Sequence, residues 1–258
     1  MKEDIIIQAV RNSLDILYHF TKGKRELSLE EISQNFSISK STAYRMLQTL
    51  TYCGFLKQNE KTKDYSLDTK SLELGSTYLR QIDLRHVAEP ILSSVSKQIT
   101  ETITLAVPKE KYAVFIDRFE NPSQNVKLYC DIGKTLPYYC GAIPKAIFAC
   151  FSDDNIQNYL NETELKPLTN KSIINKDQLL KDISMTRDLG YSFSDQEVDI
   201  GVSAVGAAIM DYTGNPVGGI AFADLSITFT EEKIKYLGNL VKETADKIGY
   251  KMGYLKKN

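Results

Sequence analysis

Residues 39–50 read Ser39-Lys40-Ser41-Thr42-Ala43-Tyr44-Arg45-Met46-Leu47-Gln48-Thr49-Leu50. Ala43, Met46, Leu47 and Leu50 recur at i, i+3, i+4 and i+7, the spacing of a single apolar helical face. Ser39 stands at the N-cap, where its hydroxyl accepts from a backbone N–H of the first turn. The spacing predicts a helix from Lys40 to about Tyr52, closed by Gly54. Lys40, Ser41, Thr42, Tyr44, Arg45 and Gln48 remain on the outer face. Lys and Arg suit phosphates or guanine, Gln suits adenine, and Ser and Thr suit either.

The neighbouring segments give that helix its context. Ser28-Leu29-Glu30-Glu31 is a capping box, Ser28 accepting from the chain three residues on and Glu31 reaching back. It opens a short helix over Leu29–Asn35, with Ile32 and Phe36 facing inward and Ile38 ahead of the next cap. Further upstream, Ile5, Ile6, Ala9, Val10, Leu14, Leu17 and Tyr18 recur at helical spacing to about Phe20. Downstream, residues 55–58 and 64–67 predict two strands around a polar turn, carrying Lys57, Lys61 and Lys63. Three helices with a tight turn between the second and third, followed by a hairpin, make a winged helix-turn-helix. Residues 20–65 hold eight basic side chains (Lys22 among them) against five acidic, a modest footprint with which one copy binds duplex weakly. Any one of these features fits an ordinary solvated helical bundle; their agreement points to DNA.

The rest of the chain bounds the alternatives. It has 258 residues, with 32 Lys and Arg against 33 Asp and Glu, which excludes a wholly basic nucleic-acid coat and an acidic disordered tail. No apolar run approaches the roughly 18 residues a membrane span needs, and Val202–Met210 is strand-length. The N-terminus lacks the pattern of a signal peptide. Cys53, Cys130, Cys140 and Cys150 form no C-x-x-C pair, as expected of a reducing cytoplasm. No membrane partner and no cofactor are expected.

Domains are expected at 1–69 (winged helix-turn-helix), 70–98 (linker helices) and 99–258. In the linker, Leu72, Leu74, Tyr78, Leu79, Ile82, Leu84 and Val87 supply apolar positions, and Pro90 restarts the run. That exceeds what one small domain buries and suits a dimerising or spacer helix. From Thr102 the period changes. Strands are predicted at 102–107, 112–116, 126–130, 202–210 and 216–223. Helices are predicted at 144–151, 153–161, 176–189 and 231–251. The whole reads as α+β, its second domain an α/β sheet covered by helices.

Signatures of catalysis are missing. Gly133-Lys134-Thr135 resembles the end of a P-loop, but the glycine required five positions earlier is Leu128. There is no H-E-x-x-H, no G-x-S-x-G and no Rossmann glycine triplet. His19 and His86, the two histidines, fall in the first helix and the linker, so neither a metal site nor a catalytic residue is expected. Cys140 lies beside a predicted helix start, where a thiolate is favoured; a buried, inert Cys is the other reading. Cys140-Gly141-Ala142-Ile143-Pro144-Lys145-Ala146 is the best binding feature. Pro fits the first helical position, Gly lets backbone approach a ligand, and free N–H groups attract a carboxylate. A glycine turn that simply starts a helix fits the same segment.

These residues resemble the IclR family of bacterial transcriptional regulators. The N-terminal likeness covers residues 27–33, 39–50, Gly54-Phe55-Leu56 and 72–75; the C-terminal one covers Leu136-Pro137, Lys145-Ala146 and 190–211. In the last segment Gly190, Ser194, Glu197, Ala204, Val205, Gly206, Ile209 and Asp211 fill the family signature, and Met210 departs from it, an aromatic or His being usual there. The resemblance implies a winged-helix DNA reader joined by a linker helix to a GAF-like effector-binding domain. It also implies dimers or tetramers, pseudo-palindromic operators, and small organic acids or aromatic metabolites as effectors. Carried over, the effector pocket falls on Leu128, Leu136, Ala142, Ile143, Ser194, Val202, Ala204, Ala221 and Ala223. Members that bind small keto acids carry Asp, Cys and Ser at the positions of Ser194, Ala204, Ala221 and Ala223; three of those four are alanine here. The N–H groups of Ala142 and Ile143 can still hold a carboxylate, so the pocket is expected to take either a ligand with a sizeable apolar part or a carboxylate in a roomier space. The expected function is a ligand-responsive transcription regulator. The alternatives are a small-molecule enzyme, or a thiol sensor through Cys140, with the helical N-terminus as an interaction module.

Overall fold

The structure, a computed structural model, describes residues 6–21, 24–80, 83–123, 128 and 131–254, with residues 78–80 as backbone alone. The chain divides into two compact units, Met1–Gln81 and Ile82–Asn258. The expected linker is divided between them, its first helix belonging to the first unit and its second to the other.

The first unit holds α1 (Gln8–His19), α2 (Leu29–Asn35), α3 (Lys40–Tyr52), the hairpin β1 (Leu56–Gln58) and β2 (Tyr65–Leu67), and α4 (Thr69–Arg80). Ile16, Phe20, Leu27, Ile32, Ala43, Leu47, Leu50, Leu56 and Tyr65 form its core. Both predicted caps are made. Ser28 Oγ accepts from the Glu31 N–H at 3.2 Å while Glu31 Oε2 accepts from the Ser28 N–H at 2.9 Å. Ser39 Oγ accepts from the Thr42 N–H at 3.2 Å. Leu27 exchanges backbone hydrogen bonds with Tyr65, adding a bridge to the hairpin. Ile16 and Phe20 anchor α1, whereas Val10, Leu14 and Tyr18 on its other flank are exposed, as are Leu72 and Leu74 of α4. The start of the predicted first helix at Ile5 lies outside the described residues.

The second unit runs α5 (Asp83–Ser96), β3 (Thr102–Lys109), β4 (Tyr112–Phe119), β5 (Thr135–Pro137), α6 (Ala142–Ala149), α7 (Asp153–Glu162) and α8 (Lys176–Leu189), followed by β6 (Ser192–Asp195), β7 (Val202–Met210), β8 (Pro216–Leu225) and α9 (Glu231–Lys251). The strands form one antiparallel sheet in the order β5-β4-β3-β8-β7-β6. Consecutive glycines in β8 fix the layers. A Cβ on Gly218 would stand 2.3 Å from Leu84 of α5, and one on Gly219 would stand 2.8 Å from Ile143 of α6. Neighbouring strand residues face opposite ways, so α5 and α6 cover opposite faces of the sheet.

Several expectations are corrected. Pro90 does not restart the linker helix: α5 runs through it, with Pro90 exposed and Leu84, Ala88, Leu92 and Ser96 buried on the opposite side. Burial of that stripe outweighs the one hydrogen bond proline removes. Helix α6 begins two residues before Pro144, which is its third residue; a first-turn residue needs no N–H, so proline is tolerated there too. Helix α6 also ends at Ala149, before Phe151. The edge strands β5 and β6 are too short to show a period. Of the predicted strand 126–130, Val126, Lys127, Tyr129 and Cys130 lie outside the described residues, and Leu128 has no regular structure.

Candidate functional site

The sheet face that carries α6 is built of short side chains in register. Across β3, β8, β7 and β6, one row reads Thr104, Ala221, Gly206 and Ser192, and the next reads Thr102, Ala223, Ala204 and Ser194. Helix α6 sits on the first of these rows. A Cβ on Gly206 would stand 2.8 Å from the Ala142 carbonyl carbon, and Ser192 Oγ donates to the Ala142 carbonyl at 2.6 Å. The helix stops there, because Gly141 turns the chain away at φ +94°. Small residues continue beyond its end, and with Phe115, Leu128, Leu136 and Val198 they line a cavity of about 240 Å³.

All nine positions carried over from the family resemblance line this cavity: Leu128, Leu136, Ala142, Ile143, Ser194, Val202, Ala204, Ala221 and Ala223. Gly141, singled out in the sequence as the point where backbone can approach a ligand, lines it too, whereas Thr102, Thr104, Phe115, Lys134, Val198 and Asp199 were not anticipated. Thr102 and Thr104 were within reach, since their alternation in a strand places both on one face; Lys134 and Asp199 come from loops with no period to betray them.

The walls are mostly apolar, and the polar groups are few. The N–H groups of Ala142 and Ile143 open α6, where no intrahelical acceptor exists, and neither has a partner among the described residues. The Gly141 N–H differs, donating to Glu197 Oε2 at 3.2 Å. Ser194 and Thr104 are each more than nine-tenths buried, and neither hydroxyl has a hydrogen-bond partner among the described residues. Lys134 Nζ and Asp199 Oδ2 make an ion pair at 3.6 Å. Such a cavity can hold one anionic end on the helix N-terminus, a hydroxyl or carbonyl on Ser194 or Thr104, and an apolar body between.

Cys140 is fully buried and donates to the Glu197 carbonyl at 3.3 Å. Burial, with the Glu197 carboxylate adding to it, pushes its thiol up to about 11. The thiolate expected at a helix start therefore does not form, because desolvation outweighs the helix end, and this removes the basis of a Cys140 thiol sensor. Among the described residues no group of His, Cys, Asp and Glu could hold a metal ion.

In the first unit α3 buries Ala43, Leu47 and Leu50 and exposes Lys40, Ser41, Thr42, Tyr44 and Arg45. Their freedom is unequal. The Ser41 and Thr42 hydroxyls lie 2.9 and 2.8 Å from Ser39 Oγ, and Lys40 pairs with Glu30 at 3.0 Å. Gln48 is half-buried and donates to the Tyr65 hydroxyl at 3.2 Å, which ties α3 to the hairpin. Lys57 is exposed on β1, and Lys61 and Lys63 on the turn between the strands; Lys63 adopts φ +66° in closing it. Lys22 lies outside the described residues.

A winged helix-turn-helix and an α/β unit with a cavity of small-molecule size together define a ligand-responsive DNA-binding regulator. Residues 9–60 match the IclR helix-turn-helix domain, and residues 76–250 match the C-terminal domain of the bacterial transcriptional regulator IclR. The chain belongs to the IclR family of bacterial transcriptional regulators. It is 30% identical over 231 residues to the HTH-type transcriptional regulator KdgR of Escherichia coli, covering 90% of this chain and 88% of that one. The crystal structure of IclR from Thermotoga maritima is similar, with a TM-score of 0.77, 31% identity, and coverage of 96% of this chain and 100% of that one. An IclR homolog from Microbacterium hydrocarbonoxydans, complexed with 4-hydroxybenzoate, shares the fold at 17% identity and a TM-score of 0.77, covering 95% and 98%. Among the described residues no helix is long and apolar enough to cross a membrane.

Proposed function

We propose that the chain alters its grip on a pseudo-palindromic DNA operator when a small organic acid with an apolar or aromatic body enters the cavity at the start of α6. The observation that carries this reading is the pairing of the unpartnered Ala142 and Ile143 N–H groups with apolar walls and the buried Ser194 and Thr104 hydroxyls. Leu128, Leu136, Val202, Ala204, Ala221 and Ala223 contact the body of the ligand. The volume supports the class, because a cavity of about 150 Å³ holds benzene and this one measures about 240 Å³. The Microbacterium homolog's 4-hydroxybenzoate is an acid of that kind.

On the DNA side, Lys40, Ser41, Thr42, Tyr44, Arg45 and Gln48 enter the major groove, and Lys57, Lys61 and Lys63 meet the backbone. Gln48 reads a base only by releasing Tyr65. One copy has a weak electrostatic footprint, so two reading heads are required. The exposed apolar residues Val10, Leu14, Leu72 and Leu74 are the surfaces on which copies pair into a dimer or tetramer. The protein works in the cytoplasm and turns nothing over.

The test is binding of the purified protein to the intergenic DNA beside its own gene at two salt concentrations, with random DNA as competitor, then with benzoate added. A footprint that survives competitor and shifts with benzoate supports the reading. Loss of binding to competitor at both salts overturns specific recognition at that DNA.

A further inference from the structure

Lys145, in the first turn of α6, is 0% exposed, and its chief partner Glu197 is 4% exposed. Lys145 Nζ meets Glu197 Oε1 at 2.5 Å, donates to the Phe193 carbonyl at 2.7 Å and pairs with Asp182 of α8 at 2.9 Å. The second oxygen of Glu197 accepts the Gly141 N–H. The carbonyl of Glu197 takes Ser172 Oγ at 2.7 Å and Thr169 Oγ1 and Cys140 Sγ at 3.3 Å each. One buried ion pair thus ties together α6, β6, α8 and the loop after β6.

Stability does not account for this pair. Two charges are taken out of water, and burial pushes the Glu197 carboxyl up against the pull of Lys145. Apolar residues of similar volume fill such sites as well or better. What the pair does control is position. Gly141, Ala142 and Ile143 line the cavity on one side of it, and Ser194, Val198 and Asp199 on the other. Both groups are attached to residues the pair holds, and no ligand group reaches Lys145 itself, which does not line the cavity.

We propose that Lys145 and Glu197 are positioning residues for effector binding, holding the N–H groups of Ala142 and Ile143 at a fixed distance from the 194–199 segment. The inference rests on the effector-cavity reading. Its test uses the full chain, the double variant Lys145→Met/Glu197→Leu, and the gentler Glu197→Gln, in which Asp182 still balances Lys145. Amide hydrogen exchange, thermal unfolding and calorimetric titration with benzoate are measured on each. The double variant is expected to stay folded, with its midpoint lowered by the Asp182 carboxylate that loses Lys145. Its Gly141, Ala142 and Ile143 amides are expected to exchange at least tenfold faster relative to Ile147 and Phe148, with affinity for benzoate at least tenfold lower. Glu197→Gln is expected to move both readouts in the same direction. Parent-like exchange ratios in a folded variant overturn the proposal, as does failure of both variants to fold, which makes the pair purely structural. A parent that ignores benzoate counts against the ligand class alone, since the exchange ratios are read without ligand.

Discussion

Helices α3 and α6 do opposite things with the same kind of element. Helix α3 has thirteen residues, one face in the core and the other in solvent. Helix α6 has eight residues and buries every one of them. The first presents side chains to solvent along its length. The second has no outer face and offers only its end, where backbone N–H groups meet a cavity. An exposed helix can change its outer side chains at little cost to the fold. A buried one can change only through whatever holds its first turn, so under the proposed function binding and folding are coupled there.

The widest gap between the two should appear on charge removal. Lys145→Met leaves Glu197 buried and unpaired, with an expected cost of about 3–5 kcal/mol; chemical denaturation of the second unit measures it. Lys40→Met on α3 breaks an exposed pair with Glu30 and is expected to leave stability unchanged within about 1 kcal/mol. Equal effects from the two would abolish the contrast.

Steric change comes next. In Gly206→Ala the new methyl meets backbone of Ala142 at 2.8 Å, not a flexible side-chain tip. Overpacking of about 1–3 kcal/mol follows, and α6 must shift. Titration with benzoate should show weakened binding alongside the lower unfolding midpoint; unchanged values for both would mean that the row beneath α6 has slack.

On α3, Arg45→Ala should weaken operator binding by about 1–3 kcal/mol if Arg45 reads a base, and chiefly lower the salt slope if it touches phosphate. Binding measured at several salt concentrations separates the two, and a variant identical in affinity and slope removes Arg45 from the reading face. Ser39→Ala, which deletes the α3 cap, is expected to cost about 1 kcal/mol of stability in the first unit, read by urea unfolding.

The smallest effect is a pH dependence. Hydrogen bonds from Lys24 and then Ser28 lower the Glu31 carboxyl to about 2. A lowered carboxyl stabilises the fold above its unfolded value, 4.5, and that contribution fades as pH falls from there toward 2. Glu31→Gln should therefore differ from the parent near neutrality and converge with it at the acid end; a constant difference across the range would put the effect elsewhere.

How far each region could be read in advance follows from the same contrast. One-sided helices write a period into the chain, so α2 and α3 were legible with their caps, because Ser28 and Ser39 each act on the residue three positions on. The run 142–149 has no polar side, which blurred its start and let Pro144 pass for its first residue. Strands β5 and β6, three and four residues long, are edge strands too short to write a period into the chain. The carried-over pocket residues came together because resemblance transmits a fold that local pattern does not.

By itself, then, the sequence determined what depends on neighbours within a turn or two: the caps, the apolar faces, the hairpin and the basic residues along it. Tertiary structure decided what depends on register between distant strands. It placed Thr102, Ala223, Ala204 and Ser194 in one row, ended α6 beside them, and buried Lys145 against Glu197 fifty-two positions away. The hollow exists because short side chains from four strands meet beyond a helix end, and no local stretch of chain contains that coincidence.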